Sequence, residues 1–255
     1  MNIGIICEGP TDYIILREII DKITGMDNDY VQLQPEPDLM GEYGNGWKGV
    51  WKWCSDNADK KEKLMKDIEP SLDILIIQMD GDVSRKEKVA HCWCKSTVCN
   101  YKNQYDPLKC DIIRELRENC PIILPCTDHE KSSDGCIKHI KQLIEKWLPD
   151  LNNTCIVVPC DSTEAWVVAA YDEMENIENV EDPWKNIIAK KKAYHNVRIQ
   201  GTQKKLRTFK EFGSVVCENW KKVTELCVSA KEFENNVMLL SQKTDKFSEN
   251  YLNQE

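Results

Sequence analysis

The chain has 255 residues, 41% of them hydrophobic, and a formal charge of −9, which is enough apolar length to bury one substantial core. No stretch approaches the roughly 20 apolar residues of a membrane-spanning helix and the first residues lack the basic start of a signal peptide, so no membrane partner and a cytoplasmic location are expected. Thirteen cysteines, an odd number with no export signal in a chain too large to need staples, read as reduced thiols.

In chain order, Ile3 to Cys7 forms the first apolar strand. Ile15, Ile19 and Ile23, reinforced by Leu16 and Ile20, then make one helical stripe behind "EGPTD". A second strand fits "YVQLQ", and a single helix fits Trp47 to Ile68. The third strand is "LDILIIQMD", followed by an apparent insertion from about Lys86 to Pro107, rich in Cys, Lys and Tyr. A further strand fits "PIILPC", a helix fits Asp134 to Leu148, and the last strand is "TCIVVPCD". Continuous apolar strands alternating with helices predict an α/β fold: a mostly parallel, Rossmann-like sheet with helices on both faces and functional groups at the carboxyl ends of its strands. Helical patterns dominate beyond Asp182, which divides the chain into residues 1–182 and a helical, basic region over 183–255.

Acids stand at three predicted strand ends. Glu8 follows the first strand, Asp80 and Asp82 follow the third, and Asp161 with Glu164 follow the last. Residues two apart on an extended strand point the same way, so "DGD" aims both carboxylates at one point, while Gly81 permits a turn or a close approach. Like charges so placed repel unless a cation separates them, and hard oxygen donors in low number suit Mg²⁺, with Mn²⁺ as its substitute. Local readings compete with this one: Thr11 or Asp12 would cap the first helix, Ser162 or Thr163 would cap the helix after "VVPCD", and Glu8 and Glu164 would merely complement helix dipoles.

Taken together, Glu8 in "CEGPTD", Asp80 and Asp82 in "DGD", and the strand ending in "STEAW" resemble the Toprim catalytic domain of topoisomerases, primases and overcoming-lysogenization-defect nucleases. The likeness covers roughly Met1 to Tyr171. It is greatest to stand-alone Toprim-type nucleases of prokaryotic defence loci, including the nuclease component of the PARIS anti-phage system, which are commonly accompanied by an ABC-type ATPase. The resemblance implies a metal-dependent endonuclease. In it Glu8 acts as general acid/base or metal ligand, Asp80 and Asp82 hold Mg²⁺, and Glu164 is the additional acid for a second ion. Asp161 would be a further ligand, and Asp12 an orienting neighbour. Hydrolysis of phosphodiesters by two ions requires no side-chain nucleophile.

The charge is divided along the chain. Trp184 to Lys222 holds eleven basic residues against two acidic ones, a window of +9 that leaves −18 for the remainder. Within it Lys190, Lys191, Lys192, Arg198, Lys204, Lys205 and Arg207, interleaved with Tyr194, His195 and Phe209, suit DNA or RNA through phosphate attraction and base stacking. A solvated helical face is the other reading. Cys92, Cys94 and Cys99, with His91 and Cys110 nearby, have ligand types that suit structural Zn²⁺ but no regular spacing. Two other functions fit the same strand-end acids. One is a non-catalytic Toprim-like binding or regulatory subunit of an ATPase complex. The other is a phospho-aspartate enzyme, which the glutamate after strand one fits poorly. A homodimer is the default assembly.

Overall fold

A computed structural model of the chain describes residues 1–36, 43–85, 133–174, 176–180, 182–190, 194–199 and 201–252. Four strands, β1 (Asn2–Ile6), β2 (Asp29–Gln34), β3 (Ile74–Gln78) and β4 (Thr154–Val157), form one sheet in the order β2-β1-β3-β4. All three pairings are parallel, in keeping with strands that read as continuous apolar runs. The expected strand "PIILPC", the insertion with Cys92, Cys94 and Cys99, and Lys191 and Lys192 lie outside the described residues.

Helix α1 (Pro10–Thr24) joins β1 to β2, and α2 (Trp47–Asn57) and α3 (Lys61–Asp67) lead into β3. The single turn α4 (Asp82–Arg85) leaves β3, α5 (Ser133–Trp147) precedes β4, and α6 (Glu164–Tyr171) follows it. Beyond a 3-10 turn at Ile177–Asn179 come α7 (Pro183–Ala189), α8 (Leu206–Glu218), α9 (Trp220–Leu226) and α10 (Val228–Leu252).

Side chains alternate across the sheet with the period of two that strands impose. Ile3, Ile5, Ile74, Ile76, Cys155 and Val157 face one layer, with α1, α6, α8, α9 and α10. Ile6, Leu75 and Ile77 face the other, with Trp47, Val50 and Trp53 of α2, Met65 of α3 and Ile140 and Ile144 of α5. Helix α6 is buried along its length, Ala165 to Ala169 being fully inaccessible, which explains why its sequence, AWVVAA, is apolar on every side. The compositional division near Asp182 does not separate two cores. Phe209 and Phe212 of α8, Val223 of α9 and Phe233 of α10 join the same cluster as Ile15, Ile19 and the sheet. Helix α8 lies so close to α1 that a Cβ on Gly213 would meet Glu18 Cγ at 3.1 Å.

Some local expectations are corrected. The single helix over Trp47–Ile68 is two, broken at Ala58–Lys60. Asn57 Nδ2 donates to the Trp53 carbonyl at 2.8 Å, a side-chain bond that competes with helix continuation. Just past the break, Lys61 Nζ reaches the carbonyls of Asp150 and Asn152, each at 2.8 Å, which fastens the approach to β4. Neither expected cap forms. The α1 N-cap is Gly9, with Pro10 as the first helical residue, and Thr163 makes no capping bond at α6.

Candidate functional site

Strand register brings the acids to one edge. Ile6 pairs with Ile77 and Gln78 with Val157, so β1, β3 and β4 end level. From β1 the chain crosses first to β2 on one side and later to β3 on the other. The order therefore reverses between β1 and β3, and the carboxyl ends at such a reversal open a crevice suited to ligands. Glu8 and Asp80 stand at that point.

Glu8 and Asp80 are tied together by the backbone and by Gln78. The Asp80 N–H donates to Glu8 Oε1 at 2.7 Å, and the Glu8 N–H donates to Gln78 Oε1 at 3.1 Å. The other end of that amide, Gln78 Nε2, donates to Asp80 Oδ1 at 2.7 Å. The DGD turn is closed from the β4 side: the Gly81 N–H donates to the Pro159 carbonyl and the Asp82 N–H to the Asp161 carbonyl, both at 3.0 Å. A Cβ on Gly81 would lie 2.7 Å from the Pro159 oxygen, so the glycine serves a close backbone approach.

The second half of the site comes from α1 and α6. Asp12, in the first turn of α1, is 4% exposed, and its Oδ1 accepts from Thr163 Oγ1 at 2.5 Å. The hydroxyl read as a helix cap thus orients a carboxylate instead. Glu164, the first residue of α6, has a side chain 1% exposed, and Lys204 Nζ stands 2.6 Å from its Oε1. Both carboxylate oxygens are buried and neither accepts a well-aligned hydrogen bond, so the lysine contact is an ion pair.

Electrostatics bind these groups into one unit. Burial, then the charges of Asp82 and Asp12, push Glu8 up to about 8 against the pull of the Asp80 and Trp47 backbone N–H groups. Burial and Glu164 push Asp12 up to about 6, opposed by Thr163 and Lys204. Burial, then Glu8, Asp12, Asp82 and Glu164, hold Asp80 well above the carboxylate range. Burial works against the Lys204 charge, yet Glu164, Asp80 and Asp12 outweigh it and hold the ammonium above its usual range. Burial and the neighbouring acids likewise drive the Cys7 thiol up, which keeps it neutral and unsuited to nucleophilic attack.

No family model matches the chain, and no curated protein or solved structure matches it significantly.

Of the residues singled out in the sequence, Glu8, Asp80, Asp82 and Glu164 share this electrostatic unit. Asp161 enters through its backbone: it is buried, adopts a left-handed conformation at φ 71°, and its carbonyl accepts from Asp82. The basic residues divide. Lys204 belongs to the acid cluster, Lys190 pairs with Asp172 at 3.0 Å, and Arg198, Lys205 and Arg207 are exposed. The aromatic residues expected to stack on bases do not line that surface together. Tyr194 is 1% exposed and Phe209 is fully buried, both taken up by the core with Phe212.

Three members of the site carry no strong sequence signal. Asp12 reads locally as a first-turn acid, and Gln78 as the last residue of a strand. Lys204 is one lysine in a basic run, forty residues beyond Glu164 in the chain. The spacing of Glu8 and Asp12, one helical turn apart behind a strand, is the one pattern that could have found Asp12.

Among the described residues, no group of three or more His, Cys, Asp or Glu side chains is placed to hold a metal ion. Mg²⁺ does not need one, since it keeps most of its water and binds through one or two carboxylates.

Proposed function

We propose that this chain is a Mg²⁺-dependent nuclease of the Toprim type, hydrolysing phosphodiester bonds of DNA or of structured RNA such as tRNA. The observation that carries the reading is the gathering of Glu8, Asp12, Asp80, Asp82 and Glu164 at the sheet's reversal point, where burial and mutual repulsion push Glu8 and Asp80 toward their protonated forms. Such a centre is short of positive charge. Its donors are carboxylate oxygens, which fit a hard divalent cation, and Asp80 and Asp82 would hold it. The ion would supply positive charge to the phosphodiester oxygens as negative charge develops on them.

The protein's own groups have definite tasks. Gln78 orients the backbone of Glu8 and the carboxylate of Asp80. Burial pushes the Glu8 carboxyl up to about 8 in the metal-free centre, which leaves it able to hold a proton, as a general acid/base requires. Thr163 holds Asp12, and exposed Arg198, Lys205 and Arg207 attract a phosphate backbone toward an otherwise repellent acidic centre. The likeness of the three motifs to defence nucleases is the ground for reading the activity as anti-phage defence, with an ABC-type ATPase as partner and a homodimer as the assembly.

The test incubates purified protein with plasmid DNA and with total tRNA, in Mg²⁺, Mn²⁺ or EDTA, beside the Glu8→Ala variant. Metal-dependent cleavage of either substrate, lost in the variant, is expected. No cleavage of either substrate, alone or with the co-purified ATPase, would overturn the nuclease reading in favour of a regulatory subunit.

A further inference from the structure

We propose that Lys204 is the second cation of this centre, so that the chain holds a single divalent ion where the Toprim resemblance implies two. This rests on the metal reading above.

The argument begins with Glu164, the acid that the resemblance assigns to a second ion. It opens α6, whose next five residues are fully inaccessible, so its backbone is fixed by the core. Both of its carboxylate oxygens are closed to solvent, and Lys204 Nζ stands 2.6 Å from Oε1. A hydrated Mg²⁺ gives up its water reluctantly and finds no open face of Glu164 while the ammonium is there. An ion forced in would also sit beside a fixed positive charge.

The ammonium is delivered by a built strap. Trp184 of α7 donates its indole N–H to the Thr202 carbonyl at 2.8 Å, two residues before Lys204. Its ring packs against Phe209 at 5.7 Å between centroids, and Phe209 is fully buried in the first turn of α8. The short segment between these anchors carries Lys204 over the acids, and its charge also reaches Asp80 and Asp12. The Lys204 side chain is 37% exposed, so the ammonium sits at the rim of the acid cluster with Glu164 on the closed side.

Direct metal binding tests this. Mn²⁺ is titrated by isothermal calorimetry and by electron paramagnetic resonance of the free ion into wild type, Lys204→Arg, Lys204→Met, Lys204→Gln and the double variant Lys204→Met with Glu164→Gln. One ion per chain is expected in wild type and Lys204→Arg. Two are expected in Lys204→Met and Lys204→Gln, where Glu164 is released, and one again in the double variant. Two ions in wild type would overturn the proposal, as would one ion in wild type and both neutral variants. Binding of no ion by any chain would instead sink the metal reading on which it rests. Thermal melts of each variant confirm that the counts come from folded protein, and the glutamine variant keeps the test alive if methionine at that position does not fold.

Discussion

Glu8 shows how a single carboxylate acquires a task from its neighbours. Its Oε1 already accepts from the Asp80 N–H, yet burial and two adjacent acids still drive its pKa to about 8. Replacing Glu8 or Asp80 with Ala is expected to lower metal-dependent cleavage at least ~100-fold, the usual scale for a group in acid/base or electrostatic catalysis; circular dichroism would show the fold intact. The same shifts predict a pH dependence of stability. Glu8 rises from 4.5 to about 8 and Asp12 from 3.8 to about 6, so the folded chain binds more protons than the unfolded one across that window, and stability falls as pH rises through it. In EDTA, Tm should drop by roughly 5 °C or more between pH 5 and pH 8. Glu8→Gln should flatten that drop, and Mg²⁺ at pH 8 should restore most of it; a melting temperature flat with pH in EDTA would refute the shifts. At this scale Glu8, Asp80, Asp82 and Glu164 were legible, because each stands directly after an apolar run that could only be a strand or the turn behind it. Asp12 entered only as an orienting neighbour and Lys204 only as one lysine of a basic run. Their roles depend on which elements meet, and neither a first-turn acid nor a lysine in a basic run encodes its neighbour in space.

Among the elements, two short connections set the geometry. The DGD turn runs against the backbone after β4, and a methyl on Gly81 would meet the Pro159 oxygen at 2.7 Å. Gly81→Ala should therefore cost about 1–3 kcal/mol in urea unfolding and weaken Mn²⁺ binding as well, since both flanking aspartates move with the turn. The second connection is the strap held by Trp184. Trp184→Phe keeps the ring against Phe209 but deletes the N–H that reaches Thr202. Loss of one such bond, about 1 kcal/mol, should slow cleavage roughly 5-fold with little change in Tm; an unchanged rate would show that the strap does not position Lys204. The four strands of the sheet, α1 and α5 were readable to within a few residues because their apolar periods are unambiguous. The break between α2 and α3 was not, since it depends on Asn57 back-bonding to Trp53 and on Lys61 finding carbonyls near residue 150.

The described residues of the whole molecule are organised around one sheet that needs the far end of the chain to cover it. Helical patterns that take over beyond Asp182 suggested a division there, because the basic run hides the apolar stripe of α8 at Phe209, Phe212 and Val216. In the fold those residues lie in one cluster with Ile3, Ile5, Ile15 and Ile76. Phe212→Ala should cost about 3–5 kcal/mol, as much as a truncation in the centre of the sheet, and a fragment of residues 1–182 should bind a hydrophobic dye and lack a cooperative melt. A soluble, cooperatively melting fragment would refute this. The shared cover also gives the centre a history. The chain is made from its first residue onward, and Glu8, Asp12, Asp80, Asp82 and Glu164 all emerge before Lys204 and the aromatic residues behind it. The lysine that faces Glu164 and the helices that cover the sheet are therefore the last parts of this edge to be made.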